Sequence, residues 1–158
     1  KTAVMTIDNE TKYQGKNSLK VQPLDGVNGL IIGIRLDTWR LNKYPAVSFA
    51  YKIPKGVSVG VRVKTIYNEW VVLAQTSTNE LIDDGQWHEI SIDVRRAIRT
   101  VLPKVKTLKG LEFFSDTKTQ AGRAFWISQF RIVSNLIRNP ELFVESRGGG
   151  VRHEYTNN

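Results

Sequence analysis

The sequence predicts an all-β chain: an antiparallel β-sandwich of the jelly-roll kind with one short crossover helix. Three observations lead there. β-Branched residues are abundant, with 16 Val, 13 Ile and 12 Thr among 158 residues, and such side chains suit a pleated, half-buried surface. Several segments alternate apolar and polar residues with a period of two. Turn signals rich in Gly, Asp, Asn and Pro recur between those segments at fairly regular spacing.

Taken in order, Val4–Ile7 and Ser18–Val21 read as a first hairpin around YQGKN at 13–17, where Gly15 suits the turn. Gly29–Leu36 follows the turn PLDG at 23–26. Next, Val47, Phe49, Tyr51 and Ile53 alternate with Ser48, Ala50 and Lys52. After IPKG, Val57, Val59, Val61 and Val63 alternate with Ser58, Gly60, Arg62 and Lys64. Both patterns describe strands with one dry face and one wet face. Trp70–Thr76, His88–Val94, Leu111–Ser115 and Ala124–Val133 complete the strand set, separated by DDGQ at 83–86 and DTKTQAG at 116–122.

One segment departs from this period. In DVRRAIRTVLPKVK, Val94, Ala97, Ile98, Val101 and Leu102 recur at helical spacing until Pro103 stops the run. This predicts the crossover helix, with a basic outer face. Residues 1–135 therefore read as one sandwich module. Residues 136–158, with Pro140 and a triple glycine at 148–150, read as an extension, either an edge strand at Leu142–Glu145 or a linker. The start, KTAVMTIDNE, has no initiator Met and no apolar leader core, so the chain reads as a piece of a longer protein.

Composition excludes some chemistry. Without cysteine there is no disulfide framework, thiolate metal site or cysteine nucleophile. The longest apolar run, GLIIGI, has six residues, far short of the ~20 that a membrane-spanning helix needs. Lys and Arg number 23 against 15 Asp and Glu, a net charge of +8, and such a surface favours anionic partners.

Three segments, NETKYQGKNSLKVQP (9–23), DDGQWHEISIDV (83–94) and FWISQFRIV (125–133), resemble in order and spacing the β-sandwich carbohydrate-binding modules and galactose-binding-like domains of bacterial polysaccharide-degrading enzymes. The resemblance covers about residues 1–133, and its motifs are turns and core strands rather than ligand contacts. It implies a non-catalytic accessory module of a secreted or cell-surface protein, with a polysaccharide or oligosaccharide as ligand and an appended catalytic domain as neighbour. It also implies a structural calcium bound near the first strand and by an acidic pair in the last. Here that strand reads Trp126-Ile127-Ser128-Gln129-Phe130. Both carboxylates that a hard cation favours are replaced, so no cofactor is expected, with a structural calcium at the remaining Asp8, Asn9 and Glu10 as the alternative.

Binding needs exposed aromatic rings, on which sugar C–H faces stack, flanked by planar polar side chains. Trp39 in LDTWRLNKYP, read as a loop, and Trp70 with Tyr67 and Asn68 in YNEW are the candidates. Trp87 and Trp126 belong to motifs that already explain them and are assigned to the core. The wet face of the central strands offers Arg35, Ser48, Lys52, Arg62, Lys64 and Gln75. Arg35, Arg62 and Lys64 there suit carboxylates or sulfates, since guanidinium groups pair them bidentately; neutral and anionic glycans both stay open. The expected site is thus Trp39, Trp70, Tyr67, Arg35, Arg62, Lys64 and Asn68.

Other functions are weaker readings. The two histidines, His88 and His153, lie in no nucleophile motif, and the candidate carboxylates Asp37, Glu69, Glu80, Asp83, Asp84 and Glu112 mostly fall in turns. A hydrolase would need two opposed carboxylates, and a lyase a base facing a uronate, for which Lys64, Tyr67 and Arg62 are the available groups. Nucleic acid would suit the run Arg95, Arg96, Arg99, Lys104, Lys106 and Lys109, but residues 94–110 hold no aromatic residue on which bases stack. A plain structural spacer beside a catalytic domain is the remaining alternative; buried Trp39 and Trp70 would be its mark.

Overall fold

A computed structural model of the chain describes residues 3–24, 28–118 and 123–134. The strands are β1 (Ala3–Tyr13), β2 (Lys16–Pro23), β3 (Asn28–Arg40), β4 (Ala46–Lys52), β5 (Gly60–Thr65), β6 (Trp70–Gln75), β7 (Trp87–Asp93), β8 (Thr107–Lys118) and β9 (Phe125–Val133). One sheet runs β1-β2-β9-β4-β7 and the other β3-β8-β5-β6, with every neighbouring pair antiparallel. Without the edge strand β1, these are the two four-stranded sheets of a jelly roll. The predicted helix, α1 (Val94–Val101), carries the chain from β7 in one sheet to β8 in the other.

The core follows from the alternation. Val47, Phe49 and Tyr51 of β4, Val61 and Val63 of β5, Leu111 and Phe113 of β8, and Phe125 and Ile127 of β9 are all buried. Phe49 and Phe113, from opposite sheets, meet edge to face with ring centroids 5.2 Å apart, an arrangement favoured by the ring quadrupoles. Asp93 caps α1 by accepting the Arg96 N–H at 2.8 Å. Val94 and Ile98 turn into the core, and Pro103 lies just past the last turn.

Four expectations change. Trp39 lies in β3 rather than in a loop, and it is buried. The β3–β8 ladder slips between Arg35 and Trp39, which pair with Gly110 and Leu108; Arg35 faces solvent, whereas Trp39 faces the core. Its indole donates to the Tyr44 carbonyl at 2.7 Å, so the buried N–H is satisfied. Strand β5 starts only at Gly60, although Val57 and Val59 before it are buried as the alternation requires.

Trp87 and Trp126 are half-buried on the outer face of the five-stranded sheet, not in the core. Lys20, Trp126, Lys52 and Trp87 form one row across β2, β9, β4 and β7. Because Phe125 and Ile127 point inward, the residue between them must point outward. Finally, the expected wet face divides. Arg35, Arg62 and Lys64 share the four-stranded sheet, whereas Ser48 and Lys52 lie on the five-stranded sheet, on the opposite side of the molecule. The extension at 136–158 and its edge strand at 142–145 lie outside the described residues.

Asp8 is tied down on the same outer face as Trp126. Its carboxylate accepts the Thr11 N–H at 2.9 Å, the Trp126 indole at 2.8 Å and the Glu10 N–H at 2.8 Å. Those donors hold its pKa well below the ordinary 3.8, the Thr11 N–H most of all. A carboxylate occupied by three N–H donors does not fit a calcium ligand, and Ser128 spends its hydroxyl on the Asn17 carbonyl. Among the described residues no group of three or more His, Asp or Glu converges on a metal position.

Since the folded pKa is depressed, the stabilisation is present above the unfolded pKa and is lost as pH falls below about 4. Urea midpoints measured from pH 6 down to pH 2 are expected to fall less for Asp8→Asn than for the parent chain. Equal slopes would show that Asp8 is not held in this way.

Candidate functional site

The outer face of the four-stranded sheet builds a groove of about 620 Å³. Strand pairing sets its floor in two rows. One row runs Arg35, Gly110, Lys64 and Trp70 across β3, β8, β5 and β6; the next runs Gly33, Glu112, Arg62 and Val72. Gly110 on the inner strand β8 and Gly33 on the edge strand β3, in adjacent rows, raise no side chain above the floor at those two points. At Gly110 a Cβ would stand 2.6 Å from the Ile34 carbonyl oxygen, so the close approach of β3 to β8 requires glycine there.

Arg62 is the best-held side chain of the face. It forms an ion pair with Glu112, which is only 7% exposed. Its guanidinium lies 4.4 Å from the Trp70 ring centre and 4.6 Å from that of Phe114. Phe114 is itself pressed onto Gly60, where a Cβ would come within 2.6 Å of the ring. The charge is thus neutralised and stacked on both aromatic neighbours, which lowers the cost of its partial burial. Lys64 adds a second cation, its ammonium 5.1 Å from the Trp70 ring centre. Trp70 remains 41% exposed.

The β5–β6 turn supplies the end of the groove. Thr65, fully buried, accepts the N–H groups of Tyr67 and Glu69 through its hydroxyl, each at 3.2 Å. Asn68 occupies the left-handed region at φ 65°, a conformation that Asn tolerates. Its amide oxygen accepts from the Lys109 ammonium at 3.4 Å, which links the turn to β8.

Of the expected residues, Trp70, Lys64, Arg35 and Asn68 line one groove. Arg62 stands beside them, its guanidinium against the Trp70 ring. Tyr67 is 67% exposed at the hairpin tip, outside the groove lining. Trp39 is 2% exposed and cannot offer a ring face to any ligand. Gly33 and Gly110 were not foreseen, while Glu112 was weighed only as a candidate catalytic acid and Lys109 only as part of the basic run. The alternation of β8, with Leu111 and Phe113 inward, was the available signal for Glu112.

Of the acids weighed for catalysis, Asp83 and Asp84 organise turns, whereas Glu112 lies in β8. Asp83 accepts the Gly56 N–H at 2.8 Å. Asp84 accepts the Gln86 N–H and the His88 ring, and both keep its pKa below the ordinary value, the backbone N–H more strongly. Within the groove lining, Glu112 is the one carboxylate among the described residues, and Arg62 already occupies it.

No family profile and no curated protein matches the chain by sequence. Solved structures do match in shape. A family 30 carbohydrate-binding module of the cellulosomal cellulase Cel9D-Cel44B of Clostridium thermocellum superposes with a TM-score of 0.58 at 18% identity, covering 84% of this chain and 83% of that one. Another family 30 carbohydrate-binding module gives 0.59 at 18% identity, with 84% of each chain covered. A family 29 module variant complexed with cellulohexaose gives 0.50 at 12% identity, over 80% of this chain and 72% of that one. The fold is the β-sandwich of carbohydrate-binding modules.

Removing the partner of Arg62 leaves a stacked guanidinium without its carboxylate. Glu112→Ala is expected to lower stability by about 1–3 kcal/mol, and Glu112→Gln by less because an acceptor remains. Urea unfolding measures both; equal and negligible losses would mean that the pair does not hold the face together.

Proposed function

We propose that the chain is a non-catalytic polysaccharide-binding module whose ligand lies along the groove of the four-stranded sheet. One observation carries this reading: a half-exposed Trp70 ring beside a floor that raises no side chain at Gly33 and Gly110, with Arg35, Lys64 and Asn68 converging on the same groove. An indole ring offers a flat apolar surface to sugar C–H groups, and the surrounding side chains donate to hydroxyl oxygens. Arg62, fixed by Glu112, keeps the ring in place rather than serving as the main donor. Tyr67 at the hairpin tip is placed to touch a chain that runs past the end of the groove.

A β-glucan such as the cellulohexaose bound by the family 29 module is the first ligand to test. The cations also suit uronate residues within such a chain, which would make binding weaken with salt. The fold likeness to accessory modules supports attachment to a catalytic domain in a secreted or cell-surface protein. An open groove buries little of each sugar, so affinity should be modest. The spacer alternative called for both Trp39 and Trp70 to be buried, and Trp70 is not. Hydrolysis is disfavoured because two opposed carboxylates are needed and the groove presents Glu112 alone among its described residues.

Affinity electrophoresis against neutral and acidic soluble polysaccharides tests the reading, with Trp70→Ala and Arg35→Ala alongside. Retardation by at least one glycan is expected, abolished by Trp70→Ala and weakened by Arg35→Ala. Retardation by a neutral glycan that is unchanged in Trp70→Ala would remove the groove from the account.

A further inference from the structure

The net charge is concentrated at one end of the molecule. Residues 40–44 and 93–106 hold seven of the chain's 23 Lys and Arg but one of its 15 Asp and Glu, leaving the remainder close to neutral. Backbone hydrogen bonds gather these segments. Leu41 N–H donates to the Lys106 carbonyl at 3.0 Å, and Arg95 N–H to the Pro45 carbonyl at 3.0 Å. Arg40 pairs with Thr107 in the β3–β8 ladder.

With Val94 and Ile98 buried, α1 leaves Arg96, Arg99 and Thr100 exposed. Together with Arg95 and Asp93 they border a shallow depression of about 330 Å³. Asp93, the one acid there, is engaged in capping the helix. None of Arg95, Arg96, Arg99, Lys104 or Lys106 forms an ion pair with a described carboxylate.

We propose that this helical end is an electrostatic docking surface for the carboxylates of an acidic polysaccharide, distinct from the Trp70 groove. Clustered cations without acidic partners repel one another, and a polyanion relieves that repulsion. Guanidinium groups match carboxylates in a two-point fork, which favours Arg95, Arg96 and Arg99 over lysines at the centre of the patch. Residues 94–110 carry no aromatic ring, and the ring of Tyr44 in the neighbouring segment packs against the core with the Lys43 ammonium 5.4 Å over it, so the surface offers no free row of rings of the kind on which single-stranded nucleic acid stacks. Continuity with the groove favours a polysaccharide further. Lys109 lines the groove, and Lys106, three residues earlier on the chain, is tied to the loop at the basic end. The choice of polymer rests on the proposed function; the existence of an anion surface does not.

The test uses polygalacturonate, a neutral β-glucan and the RNA homopolymer poly(U) as probes in affinity electrophoresis. The variant Arg96→Gln/Arg99→Gln/Lys104→Gln/Lys106→Gln changes only exposed side chains; a melting curve checks its fold, and Arg96→Gln/Arg99→Gln is the fallback. The parent chain should bind polygalacturonate in about 0.02 M salt and much less in about 0.5 M, where the screening length is short. The quadruple variant should bind it about tenfold less tightly, roughly a factor of two for each removed charge. Trp70→Ala should keep polygalacturonate binding while losing the neutral glucan. Polygalacturonate binding that survives the quadruple change, or is lost only in Trp70→Ala, overturns the proposal while leaving the groove reading intact. No binding of polygalacturonate, with or without retention of poly(U), overturns it as well.

Discussion

Strand β5 faces two ways, and both the core and the groove depend on that. Val61 and Val63 fill the space between the sheets, while Arg62 and Lys64, the alternate residues, stand on the outer face. Strand β8 repeats the division, with Leu111 and Phe113 inward and Gly110, Glu112 and Phe114 outward. A slip of one residue in this pairing would drive Arg62 into the aromatic core and bring valines into water. Burying an unpaired guanidinium costs far more than any local strain. The hydrophobic contacts that stabilise the fold therefore also fix the positions of the groove side chains.

On that frame, electrostatics divides the surface into unlike regions. In the groove, one cation is neutralised by Glu112 and held against two rings, so it contributes rigidity. Arg35, Lys64 and Lys109 stay at the margins, where they can exchange water for ligand oxygens. At the helical end, the cations have no described acidic partner, and of them Lys43 alone lies over a ring, that of Tyr44. The first region suits recognition of a sugar's shape, and the second suits attraction that depends on charge density and salt.

Much of this was legible in the sequence. The valine alternation at 57–63, the helix spacing at 94–102 and the stop at Pro103 each report a local rule that the fold obeys; the alternation puts Arg62 and Lys64 on one outward face, and Trp70 joins them through the β5–β6 pairing. What escaped was set by long-range pairing. Trp39 reads as a loop residue in LDTWRLNKYP, and only the slip in the β3–β8 ladder turns it inward. Trp126 lies in a motif that marks a core strand, yet its own place in the alternation is outward. Glu112 meets Arg62 across fifty positions of chain, and a spacing of that kind carries no local signature. Gly33 and Gly110 matter because of what lies across from them, which the sequence does not contain.

The central claim is that a glycan stacks on Trp70 in the groove of the four-stranded sheet. The four indole N–H groups, from Trp39, Trp70, Trp87 and Trp126, provide a direct probe through their nitrogen–proton NMR signals, assigned by single substitution. Titration with a cello-oligosaccharide, or with whichever glycan retards the protein, should move the Trp70 signal progressively. The Trp39 signal, bonded to the Tyr44 carbonyl inside the core, should stay in place. Shifts confined to Trp87 and Trp126 would put the ligand on the five-stranded sheet, on the far side of the molecule, and would contradict the account.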